Sequence, residues 1–154
     1  MSNVIERLAA LGITLPRPMP PVATYVPVSI AGSLVTVSGQ LPAIDGKVAV
    51  TGKLGLNVSI EEGQHAARLC LINVLAQLEA ALPGGLASIA KVVRLGGFIA
   101  ATAEFSQHAV VMNGASDLAV AAFGDAGRHA RSTVGVASLP LDAAVEVEGS
   151  FWLG

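Results

Sequence analysis

The residues in this chain able to do chemistry gather in its β-rich segments: Tyr25, Ser38, Gln40, Arg131, Thr133, Glu146 and Glu148. Arginine carries a rigid planar fork that matches a carboxylate through two parallel N–H···O bonds. In "HARSTVGVASLPLDAAVEVEG", His129 to Gly149, Arg131 opens a run of small and β-branched residues and two glutamates close the next. If both runs are strands, alternation puts Arg131 on one face with Thr133, Gly135 and Ala137, and Val134 and Val136 on the other. An arginine among small neighbours leaves room for a ligand. Glu146 and Glu148 share a face by the same rule, so a salt bridge from Arg131 to either across the sheet is the competing explanation. On the residues alone that salt bridge is favoured. Leu139-Pro140-Leu141-Asp142 joins the runs, which are expected to form a hairpin or two neighbouring strands.

Other chemistries find no support. His65, His108 and His129 have no metal-ligand spacing, and a structural or solvent-facing role is expected for all three. Neither G-x-G-x-x-G nor a P-loop occurs, and "GAS" at 114–116 lacks the flanks of a nucleophile elbow. Cys70, flanked by Leu69, Leu71 and Ile72, reads as a small buried hydrophobe. As the one cysteine it excludes an intrachain disulfide and fits a reducing cytoplasm.

The elements that must position these residues are legible in outline. Residues 3–11 predict a short helix, with Asn3 as cap, Glu6 closing a capping box, and Val4, Leu8 and Leu11 on one face. "LPRPMPP" (15–21) forbids regular structure, because proline removes an amide donor and extends its predecessor. Tyr25–Ile30 and Leu34–Ser38 predict a hairpin around Ala31-Gly32-Ser33. Asp45-Gly46 and Thr51-Gly52 are turn signals around "KVAV". Ser59 and Glu62 cap a long helix over 60–82 whose buried stripe is Ala67, Leu71, Leu75, Leu78 and Leu82, stopped by Pro83-Gly84-Gly85. Residues 89–102 predict a strand buried on both faces. Ser106 is expected to cap a helix running to about Gly124, which can bend at Asn113-Gly114. Two strands, 132–138 and 143–152, end the chain. This order predicts an α+β sandwich with helices on one face of a mixed sheet.

Composition narrows the partners. Hydrophobic residues make up 53% and charged residues 13%, against about 25% charged in an ordinary soluble domain. So few charges cannot cover a lone monomer, and part of the apolar surface is expected to meet other subunits. No stretch approaches the ~20 apolar residues of a spanning helix, and the N-terminal residues lack the pattern of a secretory signal. A net charge of −2 with scattered basic residues argues against a nucleic-acid surface.

"Tyr25…Ser38-Gly39-Gln40-Leu41-Pro42", followed by "Ala130-Arg131-Ser132…Val136-Ala137-Ser138-Leu139-Pro140…Val145-Glu146-Val147-Glu148", resembles the RidA (YjgF, or L-PSP endoribonuclease-like) family over roughly residues 22–152. The resemblance implies a chorismate-mutase-like α+β fold with two main helices on one face of the sheet; the short N-terminal helix lies in a longer extension, residues 1–21, than compact members carry, as in a divergent branch of the family. The resemblance divides the chain into an N-terminal helix and proline-rich connector, 1–21, and a RidA-like domain, 22–154. It implies a homotrimer with three clefts between subunits; a cytoplasmic location, and neither metal nor cofactor, are expected from the residues themselves. In the family, the arginine matching Arg131 grips the carboxylate of a small 2-imino acid, and the glutamate matching Glu146 acts near the attacking water.

Tyr25 and Gly39 match binding positions of the cleft. Thr133 stands where the family carries a cysteine, so a thiol contribution is absent. The cleft asparagine of the second long helix matches Asn113 by residue type or Ser116 by spacing to Phe123. The implied activity is hydrolysis of reactive enamines and imines to 2-keto acids and ammonia. A carboxylate-binding or regulatory protein without turnover is the alternative. Ribonuclease action on single-stranded RNA ranks lower, given the acidic balance and few aromatics.

Overall fold

The computed structural model describes residues 3–20 and 24–154, so the expected domain boundary after Pro21 lies outside the described residues. Both capping boxes form. Asn3 accepts from the Glu6 amide at 2.9 Å and starts α1, Val4–Ala10, while Ser59 accepts from the Glu62 amide at 3.1 Å and starts α2, Ile60–Ala81. Leu8 of α1 is buried, whereas Leu11, expected beside it, is exposed.

Among the described residues seven strands follow the sequence order: β1 (Val28–Ala31), β2 (Leu34–Gln40), β3 (Ala43–Ile44), β4 (Lys47–Val48), β5 (Ile89–Ala100), β6 (Ala130–Val136) and β7 (Val145–Leu153). β3 and β4 pair with each other, and the other five form one sheet ordered β1-β2-β7-β5-β6. β5 and β6 are parallel and the remaining neighbours antiparallel, so the sheet is mixed. α2 and α3 (His108–Phe123) cover one face. Ala67, Leu71, Leu75 and Leu78 of α2 enter a single core with Val35 and Val37 of β2, Leu95 and Ile99 of β5, and Val145, Val147 and Phe151 of β7.

Four expectations need correction. The closing strands are neither a hairpin nor neighbours, because β5 lies between them. The long apolar β5 pairs with β7 from Ile89–Leu153 to Ile99–Val145, and β6 takes its other edge through the β5–α3–β6 crossover. β5 is buried on both faces only in its second half; Ala90, Lys91, Val93 and Arg94 are exposed. Ser106 does not cap α3: the helix begins after Gln107, with no side-chain cap.

Nor does α3 break at Asn113-Gly114. Gly114 instead permits close crossing of α2, since a Cβ there would run into the Gln64 carbonyl.

Candidate functional site

Ala109, Asn113 and Ser116 lie four and three residues apart, which aligns them on one face of α3. That face looks at β6, and Arg131 reaches it. Arg131 Nη1 donates to Asn113 Oδ1 at 2.9 Å and to Ser116 Oγ at 3.0 Å, and Nη2 donates to the Ala109 carbonyl at 3.1 Å. The two candidates for the cleft position therefore both hold the same guanidinium. Three of its five N–H donors are engaged. Nε–H and one Nη2–H keep no partner among the described residues. Arg131 makes no salt bridge to Glu146 or Glu148; Glu148 lies 3.7 Å from Arg94 instead.

His129, two residues before Arg131, points to the same side and joins this network. Its Nδ1 lies 2.6 Å from the Gly127 carbonyl and its Nε2 2.9 Å from Ser116 Oγ. A carbonyl can only accept, which assigns the proton to Nδ1 and makes Nε2 the acceptor. The Ser116 hydroxyl then donates to His129 while accepting from Arg131. This links a residue expected to be merely structural or solvent-facing to the candidate clamp. The His-x-Arg alternation was the signal that could have placed it there.

Tyr25, Gly39 and Glu146 come together elsewhere. With Met19, Leu41 and Pro140 they line a half-open cavity of about 70 Å³. A Cβ at Gly39 would collide with the Glu146 carboxylate, so glycine is what admits that carboxylate over β2. Burial, and secondarily the like charge of Glu148, raise the Glu146 pKa above its ordinary 4.5. Burial, with the nearby Glu146 charge second, also raises the Cys70 thiol well above its ordinary value. Cys70 Sγ donates to the Val145 carbonyl at 3.4 Å and is fully buried, so it is no nucleophile. Pro140 opens a turn in which Leu141 and Asp142 both adopt left-handed φ, 56° and 59°. Such strain tends to gather near functional sites.

The two groups do not meet within one chain. Glu146 stands opposite Phe98, which stands opposite Val134, so these three share the open face of the sheet. Arg131, three residues from Val134, points to the helical face. Two strand spacings and a three-residue offset separate Arg131 from Glu146, roughly 14 Å between backbones. Thr133 faces the helices too, with its hydroxyl buried and without a hydrogen-bond partner. Among the described residues, no three His, Cys, Asp or Glu gather to hold a metal, and no helix is long and apolar enough to cross a membrane.

The chain is similar to several known proteins. Protein TCP17 of Trypanosoma cruzi is 45% identical over 147 residues, covering 95% of this chain and 91% of that protein. The crystal structure of Atu1372, a protein of unknown function from Agrobacterium tumefaciens, is 47% identical with a TM-score of 0.92, covering 98% of this chain and 92% of that one. E. coli TdcF, solved with bound serine, is 26% identical with a TM-score of 0.63, covering 92% and 97%. Residues 5–148 match the family model described as YjgF/chorismate mutase-like, which also carries an endoribonuclease label. With that match across most of its length and the mixed-sheet architecture to accompany it, the chain belongs to the YjgF/chorismate-mutase-like family, whose members are typically oligomeric.

Proposed function

We propose that this protein is a cytoplasmic, homotrimeric hydrolase that converts small 2-imino acids to 2-keto acids and ammonia. The observation that carries this reading is the state of Arg131: oriented by Asn113, Ser116 and the Ala109 carbonyl, unspent on any carboxylate of its own chain, and left with free N–H donors. A preorganised guanidinium of this kind suits a ligand carboxylate. The serine bound to TdcF is likewise a small molecule bearing an α-carboxylate.

The reaction adds water to R–C(=NH2⁺)–COO⁻ and releases R–CO–COO⁻ and ammonium. Arg131 holds the carboxylate and so fixes C2 for attack. Glu146, its pKa raised by burial toward the working range of a general base, takes a proton from water as the water oxygen bonds to C2. That proton then passes to nitrogen, and as the C–N bond breaks Glu146 takes the remaining hydroxyl proton and hands it to the departing ammonia, so that keto acid and ammonium leave and Glu146 is ionised again. A small substrate cannot span roughly 14 Å and two sheet faces, so each site takes Arg131 from one subunit and Glu146 from the next. Leu34, Val134 and Trp152, all exposed, give the open face of the sheet the apolar surface that subunit contact would cover.

Carboxylate binding without turnover is a second reading, favoured because, among the described residues, no carboxylate pairs with Arg131. RNA cleavage finds less support: nine basic residues are outnumbered by eleven acidic ones, and two of them, Arg94 and Arg128, lie beside Glu148 and Asp125. The deciding experiment measures keto-acid release from 2-iminobutyrate and 2-aminoacrylate generated in situ. Acceleration by the wild type and not by Arg131→Ala supports the hydrolase. Saturable 2-ketobutyrate binding with no acceleration moves the protein to the binding class.

A further inference from the structure

We propose that the N-terminal segment, residues 13–20, ends in a fixed wall of the Glu146 cavity formed by Met19 and Pro20, and that Met19 selects substrates with a short apolar side chain. This rests on the reading of the cavity as half of the imino-acid site.

The segment is anchored at both ends. At its start, Leu8 is buried in the core, Arg7 Nη1 donates to the Ala122 carbonyl at 3.4 Å, and the Ile13 amide donates back to Leu8 at 2.9 Å. Ile13 and Leu15 pack against the same core. Pro16, Pro18 and Pro20 then stiffen the extended chain, so little entropy opposes its fixed path. At its end, Gln77 of α2 donates to the Met19 carbonyl at 2.8 Å, across 58 positions of sequence.

Gln77 is itself held. It is 4% exposed and also donates to Gln40 Oε1 at 3.4 Å, while Gln40 donates to the Ser38 carbonyl at 3.1 Å. Asn73, one turn earlier on α2, donates to the Leu41 and Ala43 carbonyls at 2.9 and 3.1 Å. Two amides on one helix face therefore pin both the chain after β2 and the N-terminal segment. Buried amides of this kind are costly to leave unpaired, which makes the wall rigid.

Met19 and Pro20 face Tyr25, Leu41 and Pro140 across the cavity, with Glu146 its charged group. The cavity's interior is small, about 70 Å³, so a bulkier side chain at Met19 leaves less room beside Glu146 and a smaller one leaves more.

The test compares kcat/KM for the imines of 2-aminobutyrate and phenylalanine, using full-length protein. The wild type is expected to favour the short imine at least tenfold. Met19→Ala should reduce that ratio about fivefold or more, and Met19→Phe should raise it. Arg17→Ala, in the same segment but outside this cavity, should leave it unchanged. Should the wild type turn over neither imine, the hydrolase reading fails by itself, and the wall is tested by binding. The same variants then have to shift the ratio of dissociation constants for 2-ketobutyrate and phenylpyruvate in the same directions. A ratio that Met19→Ala and Met19→Phe leave unmoved in folded protein, or a wild type that binds neither keto acid, overturns the proposal.

Discussion

Arg131 and Glu146 lie on opposite faces of one sheet, on strands separated by β5. Neither can help the other hold a small molecule inside a single chain. On the proposed function a second copy brings the complementary half, which makes assembly part of the chemistry.

Subunit mixing tests that dependence. Arg131→Ala and Glu146→Gln are each expected to lose activity at least tenfold. After subunit exchange in equal amounts, about a quarter of the sites combine an intact Arg131 with an intact Glu146, and activity should return to about a quarter of wild type. Keto-acid release before and after exchange measures this. No recovery from mixtures that mass spectrometry shows to be exchanged would place both residues' action within one chain.

Glu146 should trade stability against function. Its raised pKa means that the folded state binds the proton more tightly than the unfolded state. The corresponding stability is fully present below the ordinary value of 4.5 and is lost as pH rises through the raised value. Glu146→Gln, neutral throughout, is therefore expected to melt higher than wild type near about pH 8 and alike near about pH 4. Melting curves across that range check the sign.

The Ser116–His129 link should act through Arg131. Ser116→Ala and His129→Phe are each expected to weaken 2-ketobutyrate binding about threefold to tenfold, and the double variant scarcely more than the stronger single one. That non-additivity corresponds to about 0.5–1.5 kcal/mol of coupling in a double-mutant cycle. Strictly additive losses by calorimetry would mean that the two side chains reach the ligand separately.

Gly114→Ala sets two effects in competition. In a helix the change is worth about 1 kcal/mol in favour of alanine. Here the new methyl would strike the Gln64 backbone carbonyl, which cannot swing aside as a side chain would. Overpacking should win, destabilising the protein by a net of about 1–3 kcal/mol in urea unfolding.

The sequence by itself determined the local features, whose causes are local. Asn3–Glu6 and Ser59–Glu62 cap their helices because donor and acceptor sit three residues apart, and the α2 stripe is buried because its spacing follows the helical turn. Alternation likewise fixed that Glu146 and Glu148 share a face, and that Arg131 and Thr133 share one. The motif residues carried the family. Alternation within a strand, however, says nothing about which strand lies beside it. Only the tertiary structure put β5 between β6 and β7, because pairing is decided by which apolar strands bury one another. That one insertion removed the salt bridge favoured on residues alone and separated Arg131 from Glu146. It also took the fold to bring His129 to Ser116 and Gln77 to Met19, contacts across 13 and 58 positions that no short-range pattern encodes.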